Sequence, residues 1–222
     1  MWTEFLKPFQ NRFPILPYHI VLLYGNVKDL FYEDVRFGEE WVHEALLRHA
    51  SSCFDKFWTA DPLSPLTQVF PVHAIGGSEN KGENTPLLNQ QMVDDREFVS
   101  SAERPDLFET LYQIEGAMET SESRNMIIFD YIEKLLPDQL RSEEDESYHL
   151  RLLKWTHNRS IHVSKNLLIL ICRNWNGLCA EVKQMNIKHI EIPSPDLATY
   201  ESYLRYIINY LQEVDYAGSN HE

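Results

Sequence analysis

The chain has 222 residues, with 20 Lys and Arg against 34 Asp and Glu and a hydrophobic share of 43%. That is the size and balance of one globular domain, or of one domain with an appendage, and it excludes collagen-like, low-complexity and fully disordered classes. A formal charge of −14 argues against a grip on nucleic-acid phosphates or anionic membrane surfaces, because such binding rests on clustered Lys and Arg that release counterions.

No apolar run approaches the ~18 to 20 residues needed to cross a bilayer, and the first residues, MWTEFLKPFQNRF, lack the apolar stretch of a secretory signal, so a cytoplasmic protein is expected. Cys53, Cys172 and Cys179 are odd in number and lack a C-x-x-C spacing. Reduced, partly buried thiols are expected rather than a disulfide framework or a zinc site.

The first strong strand is His19 to Tyr24, a nearly continuous apolar run ending on Gly25-Asn26, which is the pattern of a strand buried on both faces. A helix is predicted from Gly38 to His49, with Trp41, Ala45 and Leu46 on one face. Phe57 to Ala60 is a second strand, ended by Asp61-Pro62, and Gln68 to His73 a third, placed at an edge by Pro71. Residues 76–104 turn polar and glycine-bearing and are expected to form an irregular excursion. Pro105 opens a helix with Leu107, Leu111, Ile114 and Met118 at helical spacing, closed by Ser121 to Asn125.

Met126 to Phe129 is a short buried strand running directly into Asp130. The acidic run Ser142 to Glu146 is either a solvated loop or the first turn of the next helix, where acids suit the helix dipole. That helix, Tyr148 to Asn158, is expected to turn Leu152, Leu153 and Trp155 inward. Asn166 to Cys172 is the strongest strand of the chain and ends at Arg173-Asn174. Lys188 to Pro193 is a shorter strand, followed by a helix carrying Tyr200, Leu204, Ile207, Ile208 and Leu211. Strands that read as runs, alternating with helices, imply an α/β fold: a mostly parallel sheet covered by helices on both faces.

In such a sheet ligands bind at the carboxyl ends of the strands, where the polar residues are Gly25-Asn26, Asp130 and Arg173-Asn174. Met126-Ile127-Ile128-Phe129-Asp130 resembles the Walker B strand of AAA+ ATPases. Ile169-Leu170-Ile171-Cys172-Arg173-Asn174 resembles their sensor-1 strand, and Ile190 to Asp196 with Tyr200 to Ile208 resembles the last core strand and the first lid helix. The resemblance covers roughly Tyr18 to Leu211 and rests on the order and spacing of motifs that are individually weak. It implies a five-stranded, three-layer sandwich over residues 1–196 and a truncated lid helix with a polar tail over 197–222.

The departures from that family bear on function. AAA+ enzymes hold nucleotide with G-x-x-x-x-G-K-[ST] after the first strand, whose backbone N–H groups and lysine cradle the phosphates. Here that strand runs into Gly25-Asn26-Val27-Lys28-Asp29-Leu30-Phe31, in which no phosphate nest can be read. Gly77 and Gly82 have the right spacing, but Glu83 replaces the lysine and the segment falls at the wrong place in the order. The family's second acid is also missing, since Tyr131 follows Asp130; with a side-chain pKa near 10, a tyrosine is no general base at neutral pH. Glu133 can reach back only if the chain turns helical at once.

Each polar residue also has a purely structural reading: Asp130 as a helix N-cap, Arg173 and Asn174 as the polar end of a strand, Gly25-Asn26 as a tight turn needing positive φ. The nine histidines lack the i, i+4 spacing of a metal helix and are expected to be scattered. The leading expectation is a catalytically inactive AAA+-like domain without cofactor that acts in assembly or regulation through a protein partner, such as an active AAA+ module, or as a homo-oligomer. Its tyrosine-rich last helix suits an interface. The alternative is a working ATPase that binds ATP through Gly25, Asn26 and Lys28 or through Gly77 and Gly82, with magnesium on Asp130 and with Glu133 and Asn174 as the other catalytic candidates.

Overall fold

The structure is a computed structural model, and it describes residues 18–27, 31–32, 39–40, 42–69, 106–139 and 142–218. Lys28, Trp41, Pro71, Gly77, Gly82 and the 76–104 excursion lie outside the described residues.

Six strands form one sheet: β1 Ile20–Gly25, β2 Lys56–Asp61, β3 Ser64–Val69, β4 Asn125–Phe129, β5 Leu167–Ile171 and β6 Lys188–Ile192. Across the sheet they run β3-β2-β4-β5-β1-β6. Five are parallel and β3 alone is antiparallel to its neighbour, β2. All six correspond to strand segments read from the sequence, one more than the five-stranded sandwich that the resemblance implies. The edge strand β3 returns from β2 through a tight hairpin in which Asp61 Oδ1 accepts the Leu63 N–H at 2.7 Å. That hairpin starts β3 at Ser64, earlier than the Gln68 expected, and Pro65 sits in this edge strand, where a missing N–H costs no ladder bond.

Seven helices complete the described chain: α1 Val42–Ala50, α2 Leu107–Glu119, α3 Ile132–Leu135, α4 Glu143–His157, α5 Arg159–Val163, α6 Ala180–Gln184 and α7 Leu197–Gly218. The first starts later than the sequence suggests, because Glu39–Glu40 pairs with Phe31–Tyr32 as a two-residue ladder. The acidic run opens α4 rather than forming a loop. Ser142 Oγ accepts the Asp145 N–H at 3.1 Å and Asp145 Oδ2 accepts the Ser142 N–H at 3.2 Å, a reciprocal capping box that fixes where the helix begins.

Strand alternation divides the core into two layers. Val21, Leu23, Met126, Ile128, Ile169 and Ile171 pack on one face against Val42, Ala45 and Leu46 of α1. On the other, Leu22, Ile127, Phe129, Leu168 and Leu170 meet Leu111, Ile114 and Met118 of α2, Leu152 and Trp155 of α4, Ile161 of α5 and Val182 of α6. Leu153, expected inward, is exposed. Its place in the stripe is one residue past Leu152, which turns it about 100° around the helix.

The amino ends of β4 and β5 are closed by Asn166, which is fully buried. Its Oδ1 accepts the Asn125 N–H at 2.7 Å, and its Nδ2 donates to the carbonyls of Met118 at 2.9 Å and Thr120 at 2.7 Å. One amide thus joins the C-terminus of α2 to two strands. The opposite, carboxyl end of the sheet carries the charged groups.

Candidate functional site

The site is built by period-2 alternation. Side chains at 126 and 128 face α1, as do those at 167, 169 and 171, so the next residues of each series, Asp130 and Arg173, emerge on that same side. In the β4–β5 register Phe129 lies opposite Leu170, which sets the two chain ends side by side. There the Arg173 guanidinium grips the Asp130 carboxylate as a fork: Nε donates to Oδ1 at 3.0 Å and to Oδ2 at 3.1 Å, and Nη2 donates to Oδ2 at 2.5 Å. Helix α1 adds His43, whose Nε2 lies 3.3 Å from Asp130 Oδ2.

Asp130 is buried. Burial opposes its ionisation, but the hydrogen bonds from His43 and Arg173 outweigh that effect and hold its carboxyl down at about 2. The same contact raises the pKa of Arg173 above its ordinary value. The pair is therefore charged across the whole physiological range. A planar fork on a carboxylate is the strong, directional form of this contact.

Tyr131 completes the outer side. It has φ of 58° and ψ of 40°, the only positive φ at a non-glycine among the described residues. Its N–H donates to Asp130 Oδ1 at 2.7 Å, and the Arg173 guanidinium lies 4.4 Å from its ring centroid. A left-handed tyrosine costs roughly 1–2 kcal/mol, which the carboxylate and guanidinium contacts offset. The N-cap of α3 is consequently Tyr131, without a side-chain cap, and not Asp130.

The chain does turn helical at once after Tyr131, and this brings Glu133 back. Glu133 is buried and its Oε2 accepts the Arg173 backbone N–H at 3.1 Å. Beneath it, burial pushes the Cys172 thiol up to about 12, helped by the nearby Glu133 charge. Arg173 thus binds both acids, one through its side chain and the other through its backbone.

The remaining sequence candidates lie elsewhere. Asn174 is exposed and caps the 3₁₀ turn Trp175–Gly177, its Oδ1 accepting the Gly177 N–H at 3.3 Å. That turn lays Trp175 on Tyr24, ring centroids 4.1 Å apart. Gly25 has φ of +91°, and a Cβ there would stand 2.6 Å from the Ile192 carbonyl oxygen. Asn26 N–H donates to that oxygen at 2.9 Å and Val27 N–H to Gly25 O at 2.9 Å. The turn after β1 is thus closed on β6 and on itself, the structural role expected of Gly25-Asn26. Of the sequence candidates, the fold brings Asp130 and Glu133 together and leaves Asn174 outside the cluster.

His43 was not singled out from the sequence, and Arg173 was named there only with Asn174 as the polar end of a strand. For Arg173 the signal was available, since it continues the Leu167, Ile169, Ile171 series while Asn174 falls on the opposite phase. For His43 there was none, as a lone histidine near a helix start has no pattern of its own. A magnesium ion at Asp130 would need oxygens that already accept hydrogen bonds from Arg173, and among the described residues no three His, Cys, Asp or Glu side chains converge on a metal position.

The model of one family, the AAA+ chaperone N-terminal Rossmann-like domain, matches residues 18–193. The chain belongs to this family. Its mostly parallel sheet with helices on both faces is the α/β domain of this family. No curated protein matches the chain. Among solved structures it is similar to a chain of the E. coli MS115-1 HORMA:CdnC:Trip13 complex, at 10% identity and a TM-score of 0.49, over 84% of this chain and 52% of that one. It spans about half the length of that chain. Among the described residues no helix is long and apolar enough to cross a membrane.

Proposed function

We propose that this AAA+-like domain is nucleotide-inert and works by protein contact, as an assembly or regulatory module in the cytoplasm beside an active ATPase module. Residues 1–196 form the domain on this reading, and 197–222 a lid-like helix with a polar tail. The observation that carries the proposal is the Arg173 fork on Asp130. The carboxylate at the Walker B position is neutralised from within the chain, with His43 on its other side. Metal binding there would have to displace the Arg173 guanidinium from a part-buried bidentate contact.

Titration calorimetry with ATP and magnesium tests this directly. No saturable heat is expected at millimolar nucleotide. Saturable binding that Asp130→Asn weakens would overturn it.

One observation favours a second reading. Glu133 turns back beside Asp130, so two acids stand at the strand end as a working ATPase would need. On that reading phosphates are held by Gly25 to Lys28 or by Gly77 to Gly82, and Arg173 releases Asp130 when magnesium arrives. Arg173→Gln would then strengthen nucleotide binding, whereas the inert reading expects no binding with or without it.

A further inference from the structure

Helices α2 and α4 lie side by side with their N-termini at the same end. The Phe108 and Tyr148 ring centroids are 4.9 Å apart, Arg151 Nη1 lies 3.9 Å from Glu115 Oε2, and Asn158 Nδ2 donates to Glu119 Oε1 at 2.7 Å. The face they share is dense in acids. Helix α2 carries Glu109, Glu115 and Glu119 behind its cap Asp106, and no Lys or Arg. The first turn of α4 is Glu143, Glu144, Asp145 and Glu146. Asp106 and Asp145 serve as caps, Glu109 accepts from Gln113, and Glu115 pairs with Arg151. Among the described residues no cation pairs with Glu143, Glu144 or Glu146.

Aromatic rings stand among these acids. Phe108 is 38% exposed, and Tyr112, one helical turn further along the same face, is 65% exposed. Burial, and after it the charges of Glu144, Asp106 and Asp145, raises the pKa of the Tyr148 hydroxyl above its ordinary value, which sets those acids against the rings. Single exposed apolar residues are common, but neighbouring rings within a band of unpaired carboxylates mark a contact surface. Charge selects its occupant. A second copy of this face would be repelled, as would nucleic acid or an anionic lipid surface. A lysine could neutralise the carboxylates, but a guanidinium also stacks on an aromatic ring while it forks a carboxylate. Arg173 does both within this chain, over Tyr131 and on Asp130.

We infer that the α2–α4 face binds a protein partner through an arginine-bearing segment with apolar side chains between the arginines. The guanidinium groups meet Tyr112, Glu109 and Glu144, and the apolar side chains meet Phe108. The inference rests on the reading of the domain as a protein-contact module and names the contact. Nucleotide binding is read by calorimetry and peptide binding by anisotropy, so either reading can fail without the other.

Fluorescence anisotropy of the full chain with a labelled peptide of alternating Arg and Leu, about twelve residues long, is expected to show saturable binding at about 0.15 M salt. A peptide of alternating Arg and Gly should bind more weakly, and one of alternating Glu and Leu not at all. Tyr112→Ser and Glu144→Lys should each weaken binding of the Arg and Leu peptide about tenfold. Glu201→Lys, an equal change of charge on α7, should alter it by less than about twofold. All three positions are exposed, and circular dichroism checks that each variant folds. No binding of the Arg and Leu peptide, equal binding of the Arg and Gly peptide, or equal losses from Glu144→Lys and Glu201→Lys would overturn the inference. So would binding that survives Tyr112→Ser.

Discussion

The Asp130–Arg173 pair makes a quantitative claim about stability and pH. The Asp130 carboxyl titrates at about 2 in the folded chain against an ordinary 3.8, a difference worth about 2 kcal/mol at 1.36 kcal/mol per pH unit. The folded value lies below the unfolded one, so the unfolded chain binds the extra proton. The stabilisation is present in full above about pH 4 and is lost as the pH falls towards 2. Asp55, gripped at the surface by Arg124 with Nη2–Oδ1 of 2.6 Å, titrates near the same value, so the wild-type acid profile mixes the two groups. Comparison with Asp130→Asn cancels Asp55, because both proteins retain it. Urea unfolding of wild type, Asp130→Asn, Arg173→Gln and the double variant at pH 7 should give a favourable coupling energy, the figure of about 2 kcal/mol being the net of burial, His43 and Arg173 together. Each single variant should cost more than that, since it strands a buried partner. Repeated between pH 4 and 2, the wild type should lose about 2 kcal/mol relative to Asp130→Asn. A coupling energy near zero, or parallel acid profiles, would refute the argument.

Other substitutions probe the frame around the site. Gly25→Ala combines a positive φ with a 2.6 Å approach to Ile192 O, and should lower unfolding free energy by about 2 kcal/mol or more in urea titration. Asn166→Ala leaves the Asn125 N–H and the Met118 and Thr120 carbonyls without their partner; at about 1–3 kcal/mol per buried unpaired group, thermal unfolding should fall steeply or folding should fail. Tyr131→Asn, which suits the left-handed conformation but loses the stacked guanidinium, should stay within about 1 kcal/mol of wild type. Cys172, buried and with its thiol pushed up to about 12, should resist iodoacetamide at neutral pH until the chain is unfolded, as read by peptide mass spectrometry.

The strands were legible because the central ones are buried on both faces and so write themselves as runs. Ile20 to Leu23, Met126 to Phe129 and Leu167 to Ile171 carry no polar interruption. Helices with a long amphipathic stripe were equally plain, α2 most of all. Short helices such as α3, α5 and α6 were not, because four or five residues hold too little period to distinguish a turn from a loop. Cap chemistry settled boundaries that hydrophobicity could not: the reciprocal Ser142–Asp145 bonds start α4 at Glu143, five residues before the Tyr148 at which the sequence pattern begins it.

At the site, Asp130 stood out by ending an apolar run. Arg173 was hidden beside Asn174, and only the strand's alternation, followed past its last apolar residue, separates the two. The His43 contact depends on how α1 lies across the sheet. That is set by residues scattered from Val21 to Ile192 and is written in no local pattern.

The position of β1 bears on how the chain is made. It sits between β5 and β6, pairing Ile20 with Leu168 and Leu22 with His189, so β1 leaves the ribosome about 150 residues ahead of either neighbour. Throughout translation its edges and the greasy tetrapeptide Ile20-Val21-Leu22-Leu23 stay uncovered, an invitation to aggregation that nascent-chain holdases exist to suppress. Polypeptides released before residue 167 should therefore be insoluble even though β2, β3 and β4 could already have joined.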